Sequence, residues 1–322
     1  MRRFSHFAFL FGLALFGFIL WKIIDLKTSW DLLEKSRWPW VAAGLLSILP
    51  EVCFKGLRFK LMASHFPSSL SFKNACAVYL SGQPLSILTP SKLGDIVRVW
   101  GISRWGKIKM TSAFAIHVAD KVYDLMALGL FAATGLIVLI ARSRGQAPAL
   151  TTLSGIVLGV LLTALFFNPQ WMRAIVRPAL LFLAPQKVAK KLKTHAGEFY
   201  ENLITLFRPS SRVAWPFALS LGAWCMAWWR AYFCALALGI PLSFGKIVLL
   251  MPIVVVVEFL PITILGFGIR EAALFFFFAS PEVSNSALLS FSILNMLVGP
   301  VPTALLGVPF AVRLSSALTE KP

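Results

Sequence analysis

The sequence predicts an all-α polytopic membrane protein, with about six spanning helices and two opposed, re-entrant, broken helical hairpins. Three observations predict it. Hydrophobic residues fill 58% of the 322 positions, and the mean hydropathy of +0.79 is too high for a soluble chain that must cover its core with polar surface. The apolar residues gather in runs, several near the ~20 residues that a bilayer core demands. Lys and Arg outnumber Asp and Glu by 31 to 13 and fall mostly between the runs, as cytoplasmic loops of membrane proteins require. In a soluble chain that surplus would point to nucleic acid. Here anionic headgroups account for it, and no nucleic-acid partner is expected. One membrane domain, residues 1–322, accommodates the chain, because no stretch is long and polar enough for a separate soluble domain.

The first run, Phe7–Ile24, follows Arg2 and Arg3, which place the N-terminus on the cytoplasmic side. No small-residue cleavage site follows it, so an uncleaved span is expected rather than a signal peptide. Pro39–Phe54 is the second run. After it Lys55, Arg58, Lys60 and Lys73 have no acidic company and read as a cytoplasmic loop. Lys92, Arg98, Arg104, Lys107 and Lys109 then form another basic stretch. Two consecutive basic loops cannot flank one ordinary span. The run between them, Ala75–Leu88, is short, and Gly82, Pro84 and Pro90 interrupt its neighbourhood. It is therefore expected to dip in from the cytoplasm and return, with non-helical backbone tolerated where it lines a cavity. Two kinked ordinary spans are the alternative.

Ala113–Ile140 then crosses outward and Leu150–Phe167 returns. Residues 168–212 form a strongly basic cytoplasmic loop, in which Lys187–Leu206 can make an amphipathic helix on the membrane surface. Val213–Leu238 crosses outward, and Ala287–Val312 carries the C-terminus inside. The runs Ile247–Leu260 and Ala272–Ala279, interrupted by Pro261, Gly266 and Gly268, must then enter and leave on the outside. Opposed broken hairpins suggest an inverted repeat, the arrangement in which transporters gather discontinuous helices around a substrate.

Three constellations carry chemistry. In the first, Pro90 and Gly94 break the chain before Asp95 and Arg98, which stand three apart. Open amides at a helix start together with an Arg suit a phosphate, and an interfacial loop meeting headgroups is the structural alternative. In the second, His117, Asp120, Lys121 and Asp124 stand at i, i+3, i+4 and i+7 inside an apolar run and so share one helical stripe. A charge at membrane depth costs about 2.5–3.5 kcal/mol or more, so such residues face a bundle interior or a water-filled cavity and mark a pathway. An Asp–Lys network tying helices together is the alternative. The third, Glu258, Pro261, Gly266, Gly268, Arg270 and Glu271, repeats the first in outline, and its glycines let backbone approach a ligand or a neighbouring helix. Glu51, Arg230 and Asn295 are isolated polar residues in apolar runs and read as hydrogen-bonding between helices. No nucleophile stands with a base, so no catalytic residue is assigned. The histidines and cysteines lack metal-ligand spacing, and no nucleotide-binding Gly-rich loop is present; neither metal nor cofactor is expected.

Together these motifs resemble the lysylphosphatidylglycerol synthase transmembrane-region, or flippase-like, family, which includes the membrane half of the multiple peptide resistance factor. The family's Gly-Glu-x-x-Arg, Glu-Arg-x-x-Asp and Gly-Gly-x-Gly-x-Arg-Glu correspond here to Gly94-Asp95-x-x-Arg98, Asp120-Lys121-x-x-Asp124 and Leu265-Gly266-x-Gly268-x-Arg270-Glu271. Two motifs use the shorter acid, and Lys121 replaces an Arg and its planar fork. The resemblance implies flipping or scrambling of an anionic or aminoacylated phospholipid, or a lipid-linked group, across a bacterial inner membrane, with both termini cytoplasmic. The soluble aminoacyl-transfer domain of two-part members has no counterpart here, so no synthase activity is implied. On this reading Arg98, Lys121 and Arg270 meet the lipid phosphate. Asp95, Asp120, Asp124, Glu258 and Glu271 balance them, and His117, Gly94, Gly266 and Gly268 line the same path. The alternatives are a membrane transferase acting on a lipid-linked donor, a proton-coupled exporter of an anionic solute, and a scaffold for envelope synthesis. Membrane lipids are the expected partners, and a homo-oligomer is compatible with each reading.

Overall fold

The computed structural model describes residues 26–89, 94–142, 196–207, 211–258 and 268–319. Among these the chain is helical, and the only pairing of extended backbone is the bridge between Ser280 and Val283. The expected spans Phe7–Ile24 and Leu150–Phe167, and most of the basic loop 168–212, lie outside the described residues.

The described elements are α1 (Leu26–Glu34), α2 (Trp38–Leu46), α3 (Ile48–Ala63), α4 (Phe72–Ser81), α5 (Gln83–Leu88), α6 (Val97–Gly106), α7 (Met110–Arg142), α8 (Ala196–Phe207), α9 (Ser211–Ala237), α10 (Phe244–Glu258), α11 (Ile269–Phe278), α12 (Asn285–Val298) and α13 (Pro300–Thr319). Pro39 opens α2, where its missing N–H costs nothing. At Ser47, where α2 gives way to α3, the hydroxyl donates to the Gly44 carbonyl at 2.6 Å. Together α2 and α3 give 26 residues, Trp38–Ala63, long and apolar enough to cross a membrane. The same holds for Asn285–Ser316, 32 residues drawn from α12 and α13. Ser284 caps this stretch by accepting from the Ala287 N–H at 3.2 Å, a usual helix-start bond.

The chain divides into two compact units. The first draws on Met1–Cys53, Tyr79–Val97 and Ala223–Pro322. Its centre is α12, against which α1, α2, α11 and α13 pack. Leu288, Leu289, Phe291 and Leu294 are buried there. Serines tie α1 to α12: Ser29 donates to the Ser286 carbonyl at 3.1 Å, and Ser290 donates to the Ser29 carbonyl at 2.9 Å. Helix α13 packs on α5, and a Cβ on Gly307 would strike Pro84 of α5 and the Leu80 carbonyl at the end of α4.

The second unit draws on Phe54–Val78 and Arg98–Gly222. Here α8 lies along α7 and buries Phe199, Leu203 and Leu206, a stripe at helical spacing. The Tyr123 hydroxyl donates to the Leu206 carbonyl at 3.3 Å, and Asn202 donates to Ser112 at 3.0 Å. Of the surface helix foreseen over Lys187–Leu206, residues 187–195 lie outside the described residues, and the described part, Ala196–Phe207, packs on α7. An amphipathic pattern states that a face must be covered and leaves open what covers it.

Two segments close on themselves. Helices α4, α5 and α6 hold 10, 6 and 10 residues, so none is longer than about 15 Å. At their outer ends the Ser69 N–H donates to the Gly106 carbonyl at 3.0 Å, and the Ser69 and Ser68 hydroxyls approach the same oxygen at 3.4 and 3.5 Å. The chain enters and leaves this segment at one place. Likewise α10 and α11 pack on each other with 15 and 10 residues, about 22 and 15 Å. Lys246 near the start of α10 donates to the Phe278 carbonyl at the end of α11 at 3.5 Å, and its ammonium lies 5.6 Å from the Phe278 ring centre. This is hairpin geometry, built from helices too short to cross a ~30 Å core singly.

Candidate functional site

The second unit buries a cluster of charge around Arg58 of α3. Its guanidinium is inaccessible to solvent. Nη2 donates to Asp120 Oδ1, and Nη1 donates to the Ser220 hydroxyl and to Asp124 Oδ1, the last at 2.7 Å. Lys55, one turn earlier on α3, donates to Asp124 Oδ1 at 2.5 Å. Arg98 of α6 is also buried, with Nη1 3.9 Å from Asp120 Oδ2. Three cations from α3 and α6 therefore converge on two carboxylates of α7. Charges taken out of water in this way each carry a desolvation cost of several kcal/mol, which ion pairing offsets only with good geometry. Planar Arg, with donors fixed in a fork, supplies that geometry better than Lys.

This arrangement corrects one sequence expectation. Lys55 and Arg58 were expected in a cytoplasmic loop because no acid stands near them in sequence. They instead continue the α3 helix, and their acids arrive from α7, 62 to 69 residues further on. The signal was present: Glu51, Lys55 and Arg58 stand at i, i+4 and i+7, one helical stripe. Lys60 and Lys73 are exposed. In the α7 stripe, His117 is buried one turn before Asp120, and Lys121 is half-buried.

The other described motif residues belong to the first unit. Gly94 and Asp95 are buried in a single 3₁₀ turn that precedes α6. The Gly94 N–H donates to the Thr89 hydroxyl at 2.7 Å, and a Cβ at Gly94 would strike the Leu85 carbonyl. Glycine is required there for the close approach of two backbones. Asp95 thus precedes α6 rather than sharing its face with Arg98. Gly268, at φ +83°, turns the chain into α11, and its N–H donates to Glu271 Oε2 at 2.7 Å. Glu271 Oε1 accepts from Arg270 Nε and Nη2 at 3.0 and 2.8 Å and from the Ser292 hydroxyl at 2.6 Å. The sequence proposed Arg270 for phosphate; here much of its fork is occupied by Glu271. Glu258 is half-buried at the end of α10, and Pro90, Pro261 and Gly266 lie outside the described residues.

A polar node that the sequence left as separate residues also forms in the first unit. Arg230 Nη1 donates to Glu51 Oε2, and the Tyr79 hydroxyl donates to Glu51 Oε1 at 3.1 Å. Neither was distinguishable from an ordinary inter-helix polar contact by sequence alone. Among the described residues no group of three His, Cys, Asp or Glu side chains is placed to hold a metal ion.

Comparison with known proteins follows this geometry. The chain is similar to a UPF0104 membrane protein of Methanothermobacter thermautotrophicus, 19% identical over 279 residues that cover 82% of each chain. Residues 9–307 match the family described as the lysylphosphatidylglycerol synthase TM region. With nearly its whole length accounted for by that family, the chain belongs to the lysylphosphatidylglycerol synthase transmembrane-region family and is an integral membrane protein.

Proposed function

We propose that this protein moves an anionic or aminoacylated lipid between the leaflets of the cytoplasmic membrane. The observation that carries the reading is the buried cluster of Lys55, Arg58 and Arg98 around Asp120 and Asp124. Ionisable groups buried within a membrane protein are costly and characteristically mark the route of a polar headgroup or ion. The arginines supply forked donors for a phosphate, and the two aspartates hold them in place while no headgroup is present. His117 and Lys121, on the same α7 stripe, extend the polar path within the second unit, and Asp95, Glu258, Arg270 and Glu271 are candidate headgroup contacts of the first unit. On this reading the two closed hairpins are re-entrant, and their short helices would offer their ends to polar groups inside the membrane. In the charge pattern of the sequence, the first hairpin opens to the cytoplasm, the second to the outside, and both termini are cytoplasmic.

The test is leaflet transfer in proteoliposomes. Fluorescent phosphatidylglycerol, its lysyl derivative and phosphatidylcholine are reconstituted with purified protein, and dithionite quenching follows the inner-leaflet probe. Wild-type protein is expected to move the anionic or lysylated lipid faster than phosphatidylcholine. Arg58→Lys keeps the charge but loses the fork, and transfer should fall about tenfold or more, the worth of one charge-assisted hydrogen bond. Full activity in folded Arg58→Lys would remove Arg58 from the path. No transfer of any probe by folded wild type would overturn lipid translocation.

A further inference from the structure

No motif of the sequence singles out Ser220 of α9, yet it stands in the charge cluster. It is fully buried and belongs, with Pro216, Arg58, Asp120 and Asp124, to the second unit. Its hydroxyl donates its one proton to the Pro216 carbonyl, four residues back, at 3.1 Å. Toward Arg58 the oxygen can therefore only accept, and it takes an N–H from Nη1. Among the described residues the guanidinium thus has three acceptors: Asp120 on Nη2, and Asp124 and Ser220 on Nη1. Its Nε is buried with no hydrogen-bond partner among the described residues.

The three bonds are unequal. Those to the aspartates join two charged groups and are about twice as strong as a bond between neutral ones. Drawing off either aspartate would also leave a carboxylate buried away from its cation, whereas releasing Ser220 strands no charge. An oxyanion arriving at Arg58 therefore displaces the hydroxyl first, a charged acceptor in exchange for a neutral one. The two helices that supply these acceptors differ in the same sense. Both aspartates stand on α7, which contains no proline. Helix α9 holds Pro216 in its interior, one turn before Ser220. The proline ring cannot donate to the preceding turn, and a serine hydroxyl bonded four residues back favours bending too. The weakest partner of Arg58 is thus carried by the helix that bends more readily.

On the reading that Arg58 meets a headgroup, we infer that Ser220 holds the position on Arg58 Nη1 that a phosphate oxygen takes over, and that it sets the affinity of the site by competing for that donor. The hydroxyl keeps its proton on the Pro216 carbonyl throughout, so the exchange transfers no proton and breaks no covalent bond. The ligand is a phosphate oxyanion, carried by a lipid or free. A residue that merely propped Arg58 would act in the opposite direction: removing a prop weakens binding, and removing a competitor strengthens it.

Calorimetric titration of the purified protein in detergent tests this, with short-chain phosphatidylglycerol and inorganic phosphate as separate probes. Ser220→Ala should bind about tenfold more tightly, the worth of one hydrogen bond to a charged group. Ser220→Thr, which restores the hydroxyl, should reverse that gain. Ser220→Cys, whose sulfur is a weak acceptor, carries the same test should the alanine variant fold poorly. In proteoliposomes the lipid fraction that half-saturates transfer should fall by the same factor in Ser220→Ala. Equal or weaker binding by the folded alanine and cysteine variants would overturn the competition, and with wild-type transfer intact would leave the translocase reading standing. Wild type that binds neither probe would overturn the inference, while its transfer of lipid is judged separately in proteoliposomes. Tighter binding of inorganic phosphate alone, in protein that moves no lipid, would support the role of Ser220, assign the site to a free anion and remove the lipid.

Discussion

At the scale of single residues, Arg58 has the most at stake. Removing one member of a buried charge cluster leaves the others unpaired, so Arg58→Ala should lower stability by about 3–5 kcal/mol, measured as thermal unfolding in detergent. Replacing charge on both sides, as Arg58→Met with Asp120→Leu, should restore much of that loss while transfer stays abolished. This separates the structural from the transport role of the cluster. Gly94→Ala should cost about 1–3 kcal/mol by overpacking, because the new methyl meets backbone at Leu85, which cannot swing aside. The α7 stripe was legible from spacing alone, since four ionisable residues in an apolar run must face something polar. Its partners were not legible. Pairing across more than 60 residues is a property of tertiary packing, and a single sequence shows only that Lys55 and Arg58 share a helical face with Glu51.

Among elements, the breaks were easier to foresee than the contacts. Gly82, Pro84 and Gly268 each stand where a helix begins or ends, because missing donors and positive φ are local properties of those residues. The α12–α13 break at Gly299 followed by Pro300 was passed over, since the run Ala287–Val312 is apolar on both sides of it and hydropathy does not register a change of backbone direction. That break positions Arg230, since a Cβ at Gly299 would stand 2.6 Å from Arg230 Nε. Gly299→Ala should therefore cost about 1–3 kcal/mol of stability, and it should displace the guanidinium from Glu51. Infrared spectra of the carboxylate in this variant would report the displacement, and an unchanged spectrum with unchanged stability would show that Arg230 does not need the glycine. In helix α8 the described part of an amphipathic pattern packs its apolar residues on α7, a contact that the pattern alone does not name.

For the whole molecule, the closed hairpins predict how the chain is threaded. Cysteines introduced at Ser68 and at Lys107 should react with an impermeant reagent from one and the same side of the membrane, although a mostly apolar segment separates them. Cysteines at Gly245 and Ser280 should also label from one side, and the charge pattern of the sequence makes it the opposite side from the first pair. Labelling of Ser68 and Lys107 from different sides would mean that the first segment crosses. Helix α7 adds a further consequence. Its 33 residues extend about 50 Å, against a hydrocarbon core of ~30 Å. Asp120 and Asp124 stand in its first half, followed by an almost wholly apolar stretch from Leu125 to Ile140 of about 24 Å. If that stretch occupies the hydrocarbon, the charges lie at its margin, within reach of headgroups that have not left their own leaflet. Their depth is then set by acyl chain length. A thicker bilayer would draw the cluster into hydrocarbon or straighten the tilt of α7, and a thinner one would lift it toward water. The host membrane itself would thus tune the barrier that a lipid meets at the entrance.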